Sequence, residues 1–296
     1  MVTVAIAGSG AIASNIIPPI LAGKKHQLVI LSRSPRPDLE KQGAIVRVVD
    51  YNSHESLTKA LEGVHTVISC IWSYGPEIAS SQLALLEAAK EAKTKRFIPS
   101  EWAIPAYDRV GFYKAKESVW EAVQKSGLEY TRFINGVWMN AWAPGAPRDE
   151  AEGRAGYSGP AFLLDIKGGK ITIPGDGTAK LTVTHMKDIG KYVAAALDFE
   201  KWEPDSVIVG QKLSLNEFID RVEKATGKTL NKTYISKEDI NAVIATTSDP
   251  ETTMIHEFLR LIIDGEFDFT PTINQKVPEV KPTSVEEFLA KHWVTV

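Results

Sequence analysis

The chain has 296 residues, 44% apolar and 24% charged, with a net charge of -3. A chain of this length buries roughly three quarters of its unfolded surface, which excludes a disordered protein and fits one or two domains. The balance of 34 Lys and Arg against 37 Asp and Glu excludes the basic footprint of a nucleic-acid binder, and no apolar run approaches the ~18 residues of a membrane span.

The first half alternates short apolar runs with helix-spaced segments. The runs cover residues 2–7, 27–31, 44–49, 64–71, 96–99 and 128–134. Between them Leu57, Ala60 and Leu61, then Ile78, Leu85, Leu86 and Ala89, recur at helical spacing. This alternation predicts right-handed crossover units and an α/β fold of the Rossmann type, a doubly wound parallel sheet with helices on both faces. Pro18 and Pro19 fall in the first helix, which is expected to kink or stop there. Residues 143–159 are rich in Pro, Gly and charge and read as a long surface loop or an inter-domain crossing. Further on, Ser214 with Glu217, Ser236 with Asp239 and Ser284 with Glu287 have capping-box spacing, and Gly227 suits a helix C-terminus. The expected division is a nucleotide-binding domain over residues 1–155, with a contribution from about 180–210, and a smaller, mainly helical substrate lobe over 156–296. One cysteine, Cys70, rules out an intrachain disulfide and points to a reducing, cytoplasmic setting. With six scattered histidines there is no zinc-ligand spacing, so no metal is expected. The opening residues are strand-like, so no secretory leader is expected.

Directly after the first apolar run stands Gly8-Ser9-Gly10-Ala11-Ile12-Ala13. Gly8 allows a tight turn, Gly10 lets backbone approach a pyrophosphate, and Ala13 permits close helix–sheet packing. Ser9, Ala11 and Ile12 complete a loop whose helix N-terminus favours anionic charge. The second run ends Leu31-Ser32-Arg33-Ser34, with Arg33 where an acid would hold an unphosphorylated ribose. A guanidinium pairs bidentately with phosphate, so the residue points to NADP(H). A solvated surface arginine is the alternative. Asp50 and Tyr51 follow the third run, placed to meet the adenine edge or simply to make a turn.

None of the eight tyrosines has a lysine four residues later, so the Tyr-x-x-x-Lys arrangement of short-chain dehydrogenases is missing. Instead Phe112-Tyr113-Lys114-Ala115-Lys116 opens an amphipathic helix. A lysine at the mouth of a cofactor cleft can serve as an acid or hold the nicotinamide ribose; the bland alternative is a pair of solvated lysines. Four of seven tryptophans, Trp72, Trp102, Trp138 and Trp142, follow predicted strands, where open parallel sheets bind ligands. With Tyr74, Met139 and Phe162 they would line a pocket for a flat, apolar or aromatic substrate, unless they only glue two lobes together.

Several stretches carry a resemblance: Val4-Ala-Ile-Ala-Gly-Ser-Gly-Ala-Ile12, Leu31-Ser-Arg33, the block Lys95-Arg-Phe-Ile-Pro-Ser-Glu-Trp102, and Ser126-Gly-Leu-Glu-Tyr-Thr-Arg-Phe-Ile-Asn-Gly136. Over residues 2–188 the chain resembles the NmrA-like and isoflavone reductase-like branch of the atypical short-chain dehydrogenases. In its reductases one lysine stands eleven residues before the Gly of the Gly-Leu-x-Tyr-Thr stretch; counting back from Gly127 lands on Lys116, which is preferred to Lys114. The resemblance implies Ser69, Cys70 and Ile71 on the ribose and nicotinamide side, Pro99, Ser100 and Glu101 under the nicotinamide, and Asn135 and Gly136 behind it. Cys70 reads as a packed small residue, not a nucleophile. The chain departs from the family in a glycine loop one residue shorter, ending in Ala13, and matches its C-terminal third only loosely. The expectation is an NADPH-dependent reductase of a small aromatic or polyketide-like metabolite, with Lys116 donating or relaying the proton, working as a monomer or homodimer. A dinucleotide sensor without turnover and a redox-neutral isomerase or cyclase on the same fold are the alternatives.

Overall fold

A computed structural model describes residues 1–73, 75 and 77–294 and divides the chain into two compact units. The first holds residues 1–107, 112–134 and 189–206; the second holds 108–111, 135–188 and 207–296. The chain thus divides after residue 134 and not near 155, and the excursion at 108–111 has a local cause. Arg109 pairs with Asp264 and Glu266, and the Gly111 amide donates to the Glu257 carboxylate at 2.9 Å.

The first unit runs β1 (Thr3–Ala7), α1 (Ala11–Gly23), β2 (Gln27–Ser32), α2 (Pro37–Glu40), β3 (Ile45–Val48), α3 (His54–Ala60), β4 (Thr66–Ser69), α4 (Glu77–Glu91), β5 (Arg96–Ile98), α5 (Lys114–Lys125) and β6 (Glu129–Tyr130). The strands pair in parallel in the order β3-β2-β1-β4-β5-β6. The central strands are apolar on both faces because helices cover both: Val4 to Ala7 and Val29 to Leu31 have no exposed surface. Strand order reverses between β1 and β4, and it is at such a switch point that ligands enter an open parallel sheet.

Two sequence features behave differently from expectation. α1 continues through Pro18 and Pro19 to Gly23. Pro19 carries no N–H for the carbonyl of Asn15 four residues back, and Gly190 of the helix Met186–Ala196 packs directly over that carbonyl. The run 128–134 is not one strand. After Thr131 the chain leaves β5, and Arg132–Ile134 pairs with Asp205–Val207, helped by the Arg132 amide on the Pro204 carbonyl at 2.9 Å and the Thr131 and Ser206 hydroxyls at 2.8 Å.

The second unit carries the helices Glu150–Arg154, Leu215–Thr226, Lys237–Thr246, Pro250–Ile263 and Val285–His292. Beside them lie two small three-stranded sheets, one of Leu164–Asp165, Lys170–Pro174 and Asn231–Ile235, the other of Val137–Trp138, Lys180–Thr184 and Gln211–Ser214. Residues 143–159, expected as a loop, hold the helix Glu150–Arg154. Ser214 and Ser284 form full capping boxes, Ser236 caps through the Asp239 amide alone, and Gly227 closes its helix at φ +67°. Among the described residues no helix is long and apolar enough to cross a membrane.

A Cβ at Gly190 would stand 1.9 Å from the Asn15 carbonyl oxygen. Gly190→Ala must push its helix off α1, and overpacking of this kind costs about 1–3 kcal/mol. The variant should lose that much in urea denaturation while keeping its far-ultraviolet circular dichroism; an unchanged midpoint would show that the two helices separate freely.

Candidate active site

The first unit builds a backbone cradle at the switch point. β1 ends at Ala7, and Gly8 turns the chain at φ +101°, where a Cβ would lie 2.7 Å from the Cys70 carbonyl oxygen beyond β4. Only glycine fits both the conformation and the space. Gly10 caps α1 without a side-chain hydrogen bond, and a Cβ there would meet no atom within 4 Å. Ser9, Ala11 and Ile12 span this turn into the helix. The cradle thus offers open space against uncapped helix amides, the arrangement that takes a phosphate.

The rim of β2 and β3 supplies the charge. Arg33 is exposed and makes no hydrogen bond or ion pair among the described residues, whereas neighbouring Arg36 is tied to Asp38 at 2.8 Å. Asp50 accepts from the Asn52 amide at 2.9 Å, the geometry of a turn. The Tyr51 hydroxyl donates to the Leu31 carbonyl at 3.2 Å, and burial raises its pKa. Ser69 is fully buried, its hydroxyl without a partner among the described residues, and Ile71 is half-buried. Cys70 is buried and its thiol is pushed up by desolvation, so it stays protonated and is a poor nucleophile.

Beside β4 and β5 the residues converge on one amine. Lys116, in the first turn of α5, is only 2% exposed. Its Nζ donates to the Glu101 carbonyl at 3.2 Å and lies 4.5 Å from the Tyr113 ring centroid and 5.9 Å from that of Trp72. Burial holds its pKa below the ordinary lysine value, with Glu101 pulling the other way. Lys114, two residues earlier, is exposed and pairs with Glu117. The turn after β5 aims Glu101. The Pro99 carbonyl accepts the Glu101 amide at 2.9 Å, the Ser100 amide donates to Gln82 Oε1 at 2.8 Å, and Trp102 takes φ +41°. The Glu101 side chain is buried, with no hydrogen bond to either oxygen among the described residues, and burial raises its pKa against the pull of Lys116, Tyr107 and Arg132.

In the second unit Asn135 and Gly136 follow the strand Arg132–Ile134. Asn135 is fully buried, its Oδ1 without a partner among the described residues, and Gly136 takes φ +69° with the Thr182 carbonyl against its Cα. The aromatic residues separate into two kinds. Trp72 is 52% exposed and tilted against Phe112, with ring centroids 5.1 Å apart. Trp138 is half-buried edge-on to Tyr157, and Phe162 edge-on to Phe258. Trp102, Met139 and Trp142 instead face the interior. Trp102 stacks on Phe133 and donates to the Ser69 carbonyl, Met139 has no exposed surface, and Trp142 packs on Phe218 and donates to the Phe162 carbonyl. These three expected pocket residues are turned inward because their indoles and thioether fill core volume next to the strand ends. Tyr74 lies outside the described residues.

Sequence reasoning missed four side chains of this site. Gln82 sits on the apolar stripe of α4 with Ile78, Leu85 and Leu86, a buried polar residue whose spacing gave it away. Tyr107, Arg132 and Asp205 form a chain: Arg132 Nη1 donates to the Tyr107 hydroxyl at 3.0 Å, and its Nε to Asp205 at 2.6 Å. Arg132 stands as the one charge within Arg132-Phe133-Ile134, which was the available signal; Asp205 is 73 residues away and had none.

The doubly wound parallel sheet with its glycine turn at the switch point defines an α/β protein of the Rossmann type. The NmrA-like family model matches residues 1–289, and the chain belongs to that family. It is 33% identical over 239 residues to an oxidoreductase of Botryotinia fuckeliana, covering 77% of each chain. It is 31% identical over 256 residues to a phenylcoumaran benzylic ether reductase of Pinus taeda, covering 81% of this chain and 78% of that one. Among solved structures, pinoresinol-lariciresinol and phenylcoumaran benzylic ether reductases match with a TM-score of 0.81 at 24% identity over 98% of each chain. The leucoanthocyanidin reductase–NADPH complex of Vitis vinifera matches with a TM-score of 0.77 at 24% identity, over 97% of this chain and 98% of that one. These structural likenesses establish the fold.

A buried amine and a buried carboxylate together cost stability. Replacing such a pair with uncharged side chains of similar size is often stabilising, by about 1–4 kcal/mol. Lys116→Met combined with Glu101→Gln should therefore unfold at higher urea than the wild type. Lys116 titrates below its unfolded value, so between those two values the unfolded chain holds the extra proton and wild-type stability rises with pH. The advantage of the double variant should narrow through that window; a double variant less stable at every pH would show that the pair supports the fold.

Proposed function

We propose that this protein is an NADPH-dependent reductase of a small aromatic or polyketide-like metabolite, in which Lys116 delivers the proton. The observation that carries the reading is the Lys116 amine, desolvated at the carboxyl ends of β4 and β5 and held by the Glu101 carbonyl. A lysine kept out of water gives up its proton more readily than a solvated one, which suits a proton donor. NADPH, when bound, supplies the hydride. The chain's own part is to cradle the pyrophosphate at Gly8 to Ile12, to hold the 2′-phosphate with the exposed Arg33, and to place an N–H beside the oxygen that gains charge. Trp72, exposed next to Lys116, offers a flat apolar face to an aromatic substrate. Names of the relatives, reductases of isoflavones and of phenylcoumaran benzylic ethers among them, point the same way. The direct test incubates pure protein with NADPH and a panel of aromatic enones, imines and ketones, following NADPH oxidation by absorbance. A protein that binds NADPH but turns over none of them, while changing a partner protein's affinity, would be a sensor.

Arg33→Asp removes a charge-assisted bond worth roughly 1.5–3 kcal/mol. NADPH affinity should fall by about tenfold to a hundredfold in a fluorescence titration, with NADH spared. Equal affinity of the wild type for the two cofactors would contradict the assignment.

Lys116→Ala should fold normally and lose about 10²–10⁴-fold in kcat, the range of general acid catalysis. Lys114→Ala, exposed and roughly 200° around the helix, should retain activity. A loss confined to Lys114→Ala would move the role by two residues.

A further inference from the structure

α4 buries Ile78, Leu85, Leu86, Ala88 and Ala89, and within that apolar stripe stands Gln82, with no exposed surface. A carboxamide loses its hydration there, so what it bonds to decides its worth. Its Oε1 accepts the Ser100 amide at 2.8 Å, and its Nε2 meets no acceptor among the described residues. Only the oxygen can meet an N–H, so the Ser100 amide fixes which way the carboxamide points. The need for an acceptor comes from where β5 stops. The β4–β5 ladder ends at Ile68 and Ile98, Pro99 has no N–H, and pairing resumes at Ala103 with Ile134. The Ser100 amide is buried in this gap, where the ladder offers it no carbonyl. Gln82 supplies one from a helix. The Trp102 indole anchors the other end of the turn on the Ser69 carbonyl at 3.0 Å. Between the two anchors lies Glu101, whose backbone carbonyl accepts from Lys116 Nζ at 3.2 Å.

We propose that Gln82 is a positioning residue for proton transfer: by holding the Ser100 amide, its carboxamide keeps the Glu101 carbonyl aimed at the Lys116 amine. The proposal rests on the reading of Lys116 as proton donor. Gln82 is fully buried, so it acts through the turn.

The chain of contacts runs in one direction. An ammonium carries three N–H bonds, and an amine that turns freely aims none of them. Once the Glu101 carbonyl takes one, the other two are confined to directions tilted away from it. The same hydrogen bond supports the charged form of a group that burial would otherwise discharge. Release of the Ser100 amide lets the turn relax between Pro99 and Trp102, and the carbonyl one residue on leaves the amine. A displacement of about 1 Å at a reacting group costs on the order of a hundredfold in rate. The position of a helix side chain thus reaches the proton through one turn of backbone.

Two variants separate positioning from packing. Gln82→Met keeps the length and the apolar contacts and removes the acceptor. Gln82→Glu keeps an oxygen for the Ser100 amide and gives up only the Nε2 that meets no acceptor. In cofactor-free protein labelled with ¹³C-lysine, the Lys116 ¹³Cε signal, assigned by its absence in Lys116→Arg, gives the titration midpoint of the amine. Glu101 from the turn and Tyr113 from the segment before α5, the titratable groups facing that amine, are unchanged in both variants. Gln82→Met should lower the midpoint by about one unit, as loss of a hydrogen bond to the charged form does, and Gln82→Glu should not lower it. With the enone, imine or ketone that oxidises NADPH, Gln82→Met should lose about tenfold to a hundredfold in kcat, with KM and NADPH affinity held within about twofold. Gln82→Glu should keep kcat near the wild type. A purely structural carboxamide gives a lower urea midpoint with the amine midpoint and kcat unmoved, and that result overturns the proposal. Equal losses in Gln82→Met and Gln82→Glu also overturn it. If Gln82→Met does not fold, Gln82→Asn, one methylene short of Ser100, carries the test, and an unchanged amine midpoint there overturns the proposal. Failure of the reading of Lys116 itself is separately visible: Lys116→Ala then keeps its turnover, whatever Gln82 does to the amine.

Discussion

The packing of the first unit keeps the Lys116 amine out of water. An ammonium loses its hydration when buried and recovers little of it from one carbonyl at 3.2 Å and two aromatic faces. Everything next to it bears on that deficit. α5 is amphipathic, and Lys116 lies on its buried face with Val119, Trp120 and Val123, so the helix packing that stabilises the unit is what drags the amine inside. The turn from Pro99 to Trp102 is bent so that a carbonyl meets it there, and the bend includes a tryptophan at φ +41°, a conformation that costs a bulky residue free energy. That cost is offset by the Trp102 indole, which stacks on Phe133 and donates to the Ser69 carbonyl at 3.0 Å.

The cradle for phosphate depends on a different constraint, the approach of β1's exit to β4's exit. Gly8 lies so near the Cys70 carbonyl that no side chain fits, and this closeness brings the first turn of α1 level with the strand ends that lead to Trp72. Cradle and amine are therefore set by neighbouring strands of one sheet. A dinucleotide lying across a switch point reaches from the β2 rim, where Arg33 stands, toward β4.

Local patterns in the sequence revealed most of this. Six apolar runs locate the parallel sheet because strands covered on both faces have few polar residues, and Gly8 is legible because a turn of that shape admits little else. Register along α5 separates Lys116 from Lys114 once the helix start is known. What stayed hidden depends on distant partners. The strands Lys170–Pro174 and Lys180–Thr184 are five residues each and find their partners elsewhere in the chain, so periodicity alone does not show them. The break at Thr131 arises because residues 204–206 compete for the backbone of Arg132. Trp102, Met139 and Trp142 follow strands as a binding aromatic would, yet their direction is set by cavities that only the folded core defines.

The buried acids of the chain bring out what is unusual at Glu101. Asp188 has no exposed surface, and its carboxylate accepts the Thr283 amide at 2.7 Å. Glu257, 9% exposed, accepts the Gly111 amide at 2.9 Å. Glu129, partly buried, meets Arg96 at 2.6 Å and the Trp202 amide at 2.6 Å. In each case the carboxylate is a structural acceptor, tying one segment to another and recovering the hydration it lost. Among the described residues the Glu101 oxygens accept no such hydrogen bond. Its charge bears instead on the buried Lys116 amine, whose charged form it supports against desolvation.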